Sequence, residues 1–254
     1  MQNRCKKCNR PLGQPKDKLP GQKVGSTSPA PTISPVEVAR TYKSEYSRAT
    51  NDQTDRSIEC IQELSERVIE QKGGHRELCE SALKLIFRQF HIREASIALR
   101  SASDGRYRYF AMQGMRTNVW QVHLELSYPR EDLFNSKKYK CTVISRYTRL
   151  FLAEDEPYDD LEKKTYSEHL MLSSVRKVYD DSIEGDYLDI TIFGPEEQIL
   201  GWIEISGTWD GKLPNPRTIR TIEVFANLLG LALSRIPSIA GTELQGSDQP
   251  SKKK

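Results

Sequence analysis

No run of 18 or more apolar residues occurs in this 254-residue chain, so its sequence offers no membrane-spanning helix. The N-terminus, MQNRCKKCNR, is basic but lacks the apolar stretch of a secretory signal. Together these absences set the expectation of a cytoplasmic protein with no membrane partner. Cysteine is scarce: five residues, at 5, 8, 60, 79 and 141, lack the even number and spacing of a disulfide framework, and reduced thiols are expected. Catalytic signatures are missing too. There is no Gly-rich phosphate loop, no Gly-x-Ser-x-Gly and no His-Glu-x-x-His, and the glycines at 73, 74, 105, 114 and 185 read as turn residues. The four histidines (75, 91, 123, 169) are scattered, and Asp159-Asp160 and Asp180-Asp181 read as solvated loops. Without an activated nucleophile or a matched acid–base pair, no catalytic residue is assigned and an enzyme is not expected.

What is present is a soluble composition, 37% hydrophobic and 29% charged, which allows only a modest core. The net charge of +3 is unevenly spread. Residues 1–25 carry a balance of +6 and residues 236–254 one of +1, which leaves 26–235 at −4. A nucleic-acid-binding body is expected to be basic on one face, so any nucleic-acid contact falls to the tails.

Residues 1–35 hold six prolines among Gly, Ser, Thr and Lys, the composition of a disordered basic arm. Within it, Cys5 and Cys8 form a Cys-x-x-Cys, which supplies half of a tetrahedral zinc site. Two further ligands would have to come from another chain; the alternative is a surface dithiol with no metal role. Residues 36–75 contain a lead-in helix at Asp55–Gln71, with Ile58, Ile61, Leu64, Val68 and Ile69 at helical spacing. A second helix is expected over Arg76–Phe90, and Cys79 on its apolar face and Cys60 beside the first stripe read as small core residues. Two strands follow, Ala95–Leu99 and Tyr107–Met112, joined by a turn at Ser103-Asp104-Gly105. Regularity then lapses until about Tyr187, apart from a strand candidate at Tyr139–Arg146 and a charged helix-like stretch at Asp160–Met171. Leu188, Ile190 and Ile192 alternate as a strand. From Ile236 a Pro-, Gly-, Ser- and Lys-containing tail, 236–254, reads as disordered.

The stretch before that tail organises the rest. Leu200–Ser206 alternates, with Ile203 and Ile205 on one face and Leu200 and Trp202 on the other. Trp209–Asn215 is turn chemistry, and Asn215 stands as N-cap with Pro216 at the first helical position. Ile219, Ile222, Phe225, Ala226, Leu229, Ala232 and Leu233 then form the apolar face of a closing helix. The sequence GWIEIS, the loop WDGKLPNP and the helix TIRTIEVFANLLGLALS resemble the end of a GAF domain of the bacterial and archaeal signalling type. The resemblance implies an α/β (α+β) domain over 76–235. In it a central antiparallel sheet carries the N- and C-terminal helices on one face and a variable insert on the other. It further implies a small-molecule-sensing or regulatory module, homodimerisation through the flanking helices, and a signalling protein as partner.

Within that frame a cavity between sheet and insert is expected to bind an unknown small molecule, with Trp120, Cys141, Val143, Ser145 and Tyr147 as its candidates. Ordinary core packing is the alternative for each. Two other functional readings stand beside this one. The chain is either a tail-driven adaptor binding metal, a protein or nucleic acid through its Cys-x-x-Cys arm, or, with Cys141 as nucleophile, a GAF-type free methionine sulfoxide reductase. The cysteine-rich signature of those reductases is absent, as are a bilin-attachment context around Cys141 and the NKxxxFxxxDE run of the phosphodiesterase type. Val224, Leu228 and Leu231 lie off the main stripe of the closing helix, which offers a second apolar face for a dimer.

Overall fold

The computed structural model describes residues 53–70, 74–133, 135 and 137–235. Cys5, Cys8, the basic arm and the C-terminal tail lie outside the described residues. So does the stretch from 36 to 52.

Six strands form one sheet in the order β2-β1-β6-β5-β4-β3, every neighbouring pair antiparallel. They are β1 (Ala95–Arg100), β2 (Tyr107–Gln113), β3 (Thr142–Val143), β4 (Thr148–Phe151), β5 (Tyr187–Phe193) and β6 (Ile199–Ile205). Helices α1 (Gln53–Glu70), α2 (Gly74–Phe90) and α5 (Pro216–Arg235) cover one face. The short helices α3 (Thr117–Glu125) and α4 (Glu168–Ser173) belong to the insert between β2 and β5. This is the architecture expected, with the first and last helices on the same side of an antiparallel sheet.

The helix-side core follows from period-2 alternation on β5 and β6. Leu188, Ile190, Ile192, Ile203 and Ile205 point into it and meet Phe225, Leu229 and Ala232 of α5. Gly230 lets that helix lie against the sheet, because a Cβ there would stand 2.0 Å from the Phe193 carbonyl oxygen. Asn215 caps α5, its Oδ1 accepting the Thr218 N–H at 3.0 Å. The buried Cys60 and Cys79 have thiols pushed up to about 11 and about 12, chiefly by burial, so both are inert core residues.

Four expectations need correction. On α1 the buried face is Ser57, Cys60, Leu64 and Val68, while Ile58 and Ile69 are exposed. A 3-4-4 spacing keeps one face, and the two isoleucines fall off it. On β6, Leu200 packs with the helix-side core although it is two residues from Trp202. The register shift opposite Ile192 and Phe193 inserts an extra residue there and reverses its facing. The strand expected at Tyr139–Arg146 is only Thr142–Val143, and the ladder resumes at β4, where no strand was expected. Ser145 breaks the run by accepting the Tyr147 and Thr148 N–H groups at 3.0 Å each, a turn closed by its own side chain. Finally, α3 occupies a segment that read as irregular; only Val119 and His123 are buried on it, too sparse a stripe to show a period.

Candidate functional site

The other face of the sheet carries the alternate members of the same pattern. Asp189 on β5, Trp202 and Glu204 on β6, and Tyr107 and Tyr109 on β2 point away from the helices into the insert. The insert returns Tyr128, Leu133, Tyr139 and Glu162 onto them, and a cavity of about 50 Å³ remains between. A second chamber of about 20 Å³ shares Tyr109, Tyr128, Glu162, Tyr187 and Glu204 with the first and adds His123 and Thr165. Tyr158 and Tyr166 also line this chamber, and they line an outer groove of about 710 Å³ as well. The two tyrosines therefore form the partition between buried chamber and surface. Gly185 lies against one of them, where a Cβ would stand 2.6 Å from the Tyr158 hydroxyl.

Aromatic rings make up most of the wall. Tyr128 packs edge-on to Trp202 at 5.5 Å, Tyr109 edge-on to His123 at 4.7 Å, and Phe151 stacks on Tyr187 at 4.4 Å. Among these rings sit buried ionisable groups. Tyr109 donates to Glu204 Oε2 at 2.5 Å, and His123 Nε2 lies 3.9 Å from Glu204 Oε1. His123 Nδ1 faces the Val119 carbonyl at 3.0 Å, which fixes that nitrogen as a donor. Burial alone would lower the His123 pKa, but the Glu204 carboxylate outweighs it and holds the imidazole above its ordinary value. Burial raises Glu162 and raises Asp189 well above the carboxylate range, with Glu204 adding to the second shift and Arg149 opposing it.

Two buried polar atoms of wall residues, Trp202 Nε1 and Asp189 Oδ1, have no hydrogen-bond partner, whereas Tyr139 Oη lies beside the Glu162 carboxylate and the Lys138 ammonium. Buried polar groups are nearly always paired, and each one left bare costs about 1–3 kcal/mol.

The residues proposed from sequence distribute unevenly around this cavity. Trp120 reaches its margin, edge-on to Tyr109 at 6.5 Å and stacked on His123. Cys141 is half-buried in the field of Arg149 and Asp189, and burial raises its thiol, so it is not an activated nucleophile. Val143 is exposed on the edge strand. Ser145 and Tyr147 turn to the helix side: Ser145 donates to Glu223 of α5, and Tyr147 packs against the main core. The five do not form one wall, because Cys141 and Ser145 lie outside the short β3 on which a common facing would depend.

The cavity residues that sequence reasoning passed over are Tyr109, Glu204, Asp189, Glu162, Tyr139 and His123. Two of them become legible only once the insert is known to cover this face. Asp189 lies between Leu188 and Ile190, and Glu204 between Ile203 and Ile205; on strands covered on both faces, such positions must be buried. Among the described residues, no group of three or more His, Cys, Asp or Glu side chains is arranged to hold a metal ion.

No protein-family model matches the chain, and no curated protein matches it. Solved structures similar to it are GAF domains. One is the GAF domain of an Acinetobacter phosphoenolpyruvate-protein phosphotransferase, at 10% identity over 75% of this chain and 98% of that one, with a TM-score of 0.48. Another is a GAF domain from A. Aeolicus in an inactive state, at 13% identity over 70% and 96%, TM-score 0.45. A third is the phycoerythrobilin-bound GAF domain of a cyanobacterial phytochrome, at 11% identity over 70% and 94%, TM-score 0.46. At these values the architecture rests on the strand order, the helix pairing and the cavity face described above.

Proposed function

We propose that this chain is a ligand-sensing regulatory domain without catalytic output, its ligand seated between the sheet and the insert. The observation that carries this reading is the pair of unpartnered polar atoms, Trp202 Nε1 and Asp189 Oδ1, on residues that line one aromatic cavity. A bound molecule that pairs with them removes the cost of leaving them bare. Cys141, with its raised thiol, supports the absence of nucleophilic chemistry. Native mass spectrometry of the freshly purified full chain tests the proposal. A retained small molecule that is lost in Trp202→Phe and Asp189→Asn supports it. Wild-type protein with no retained molecule, and no thermal shift across a fragment collection, overturns it.

A second role is favoured by one observation. Val224 and Leu231 of α5 are 38% and 47% exposed, on the face turned away from the core. We propose that a second copy of the chain covers them, in a dimer through which the ligand state is passed on.

A further inference from the structure

One row of side chains runs across four strands of the cavity face. Arg149 on β4 is the register partner of Asp189 on β5, Asp189 that of Glu204 on β6, and Glu204 that of Ser96 on β1. Asp189 and Glu204 are therefore carboxylates directly opposite one another on adjacent strands, an arrangement that ordinarily destabilises a sheet. Glu162 brings a third carboxylate to the same cavity from the insert. Arg149 and His123 are set against these three, and Lys138 stands over the ring of Tyr139 at the cavity wall. Glu204 is engaged by Tyr109 and lies near His123, whereas Asp189 Oδ1 accepts nothing.

The remaining wall narrows what can answer that charge. Tyr109, Tyr128, Tyr139, Tyr187, Trp202 and Phe151 line the cavity, and aromatic rings attract organic cations. A metal ion requires ligands converging within a few ångströms, and no such group exists among the described residues. Trp202 is 6% exposed and lines the cavity, and its buried N–H has no acceptor. An indole N–H can only donate, so an occupant that satisfies it must bring an acceptor. Size sets the last limit. At roughly 10–15 Å³ per water, a chamber of about 50 Å³ holds a group of about four heavy atoms.

We propose that this cavity recognises a small organic cation that also carries a hydrogen-bond acceptor, its positive nitrogen against Asp189 and Glu204 and its acceptor on Trp202 Nε1. The inference rests on the ligand-sensing reading and gives it a chemical class.

Three probes of nearly equal size separate charge from shape: ethanolammonium, neutral ethylene glycol and anionic glycolate. Titration calorimetry on the full chain is expected to show ethanolammonium binding at least tenfold tighter than ethylene glycol, with no binding of glycolate. Burial favours the protonated Asp189, and a bound cation favours the ionised form; Asp189→Asn, which keeps the shape and removes the ionisable group, is expected to abolish that preference. Trp202→Phe is expected to weaken ethanolammonium severalfold while sparing the charge preference. Asp180→Asn, at an exposed carboxylate paired with Lys212, serves as control and leaves binding unchanged. If Asp189→Asn does not fold, the probe series on wild-type protein and Trp202→Phe still decides the matter. Equal binding of the neutral probe, or preference for glycolate, overturns the cation assignment and leaves the sensing role standing. Absence of binding by all three overturns the assignment as well, and the retained-ligand measurement then judges the sensing role separately.

Discussion

Asp189 and Glu204 stand opposite each other on β5 and β6, two acidic side chains in the middle of a sheet covered on both faces. Their proximity and burial link the cavity to pH. The Asp189 pKa is raised first by burial, then by Glu204, against the opposing Arg149, with Glu162 adding to the rise. A carboxylate raised in the folded state binds its proton there over a pH range where the unfolded chain has lost it. Its contribution to stability is therefore complete below about pH 4 and is lost as pH rises through the folded value. Glu162 acts with the same sign. His123, raised by Glu204 despite burial, also loses its contribution as pH rises through its folded value. The urea midpoint is expected to fall between pH 5 and pH 8, and Asp189→Asn is expected to flatten that slope. A midpoint that climbs over this range would contradict the assignment.

The Tyr109 hydroxyl donates a hydrogen bond to Glu204 inside the same wall. Removing that donor leaves a buried carboxylate short of a partner, at a cost of about 1.5–3 kcal/mol for a bond to a charged group. Tyr109→Phe is expected to lower stability by about that much in denaturant unfolding. In Glu204→Gln the acceptor no longer carries charge, and Tyr109→Phe in that background is expected to cost about 1 kcal/mol or less. Equal losses in both backgrounds would show that the hydroxyl contributes packing rather than this bond.

How legible was this in the sequence? The strands β1, β2, β5 and β6 and the closing helix announced themselves, because each presents an apolar face at its own period. Asn215 announced the helix start through cap chemistry. The cavity did not, for two physical reasons. Its strand residues are the polar alternates, Asp189 and Glu204, which a pattern reading assigns to solvent until the insert is known to cover them. Its insert residues, Tyr128, Tyr139 and Glu162, sit in loops and a 3-10 turn with no period to read. Ser145 misled for a related reason. A turn it closes itself ended the expected strand, and its side chain points toward Glu223 rather than the cavity.

That Glu223 contact ties the sheet's edge to the closing helix. Ser145 Oγ and Thr148 Oγ1 both donate to Glu223 Oε1, the second at 2.7 Å. Thr148 is fully buried, so losing its acceptor leaves a bare hydroxyl at a cost of about 1–3 kcal/mol. Glu223→Ala is expected to destabilise by that amount and to speed amide exchange in Thr148–Phe151 more than in β1 or β6. Uniform acceleration across the sheet would place the effect on global stability instead.

Gly230 inverts a familiar substitution. In an exposed helix interior Gly→Ala gains about 0.8–1 kcal/mol. Here the added methyl would meet the Phe193 carbonyl oxygen at 2.0 Å, and backbone cannot step aside as a side-chain end can. Gly230→Ala is therefore expected to lower the melting temperature. A neutral or stabilised variant would mean that α5 can lift from β5 without loss.

The proposed dimer surface can be tested on two leucines three residues apart on the same helix. Leu228 packs partly against the main core, whereas Leu231 is 47% exposed. A charge at 228 must enter apolar surroundings and should unfold the protein or depress its melting temperature. At 231 a glutamate meets water in the monomer, so Leu231→Glu should leave the fold and melting cooperativity intact. If a second copy covers that face, the same variant buries a charge against apolar surface and the dimer should dissociate. Sedimentation velocity at several concentrations reads the difference. Wild-type dimer with Leu231→Glu monomer of unchanged circular dichroism supports the shared helix face. A Leu231→Glu protein that remains dimeric would place the contact elsewhere, and a wild-type monomer at high concentration would remove the dimer altogether.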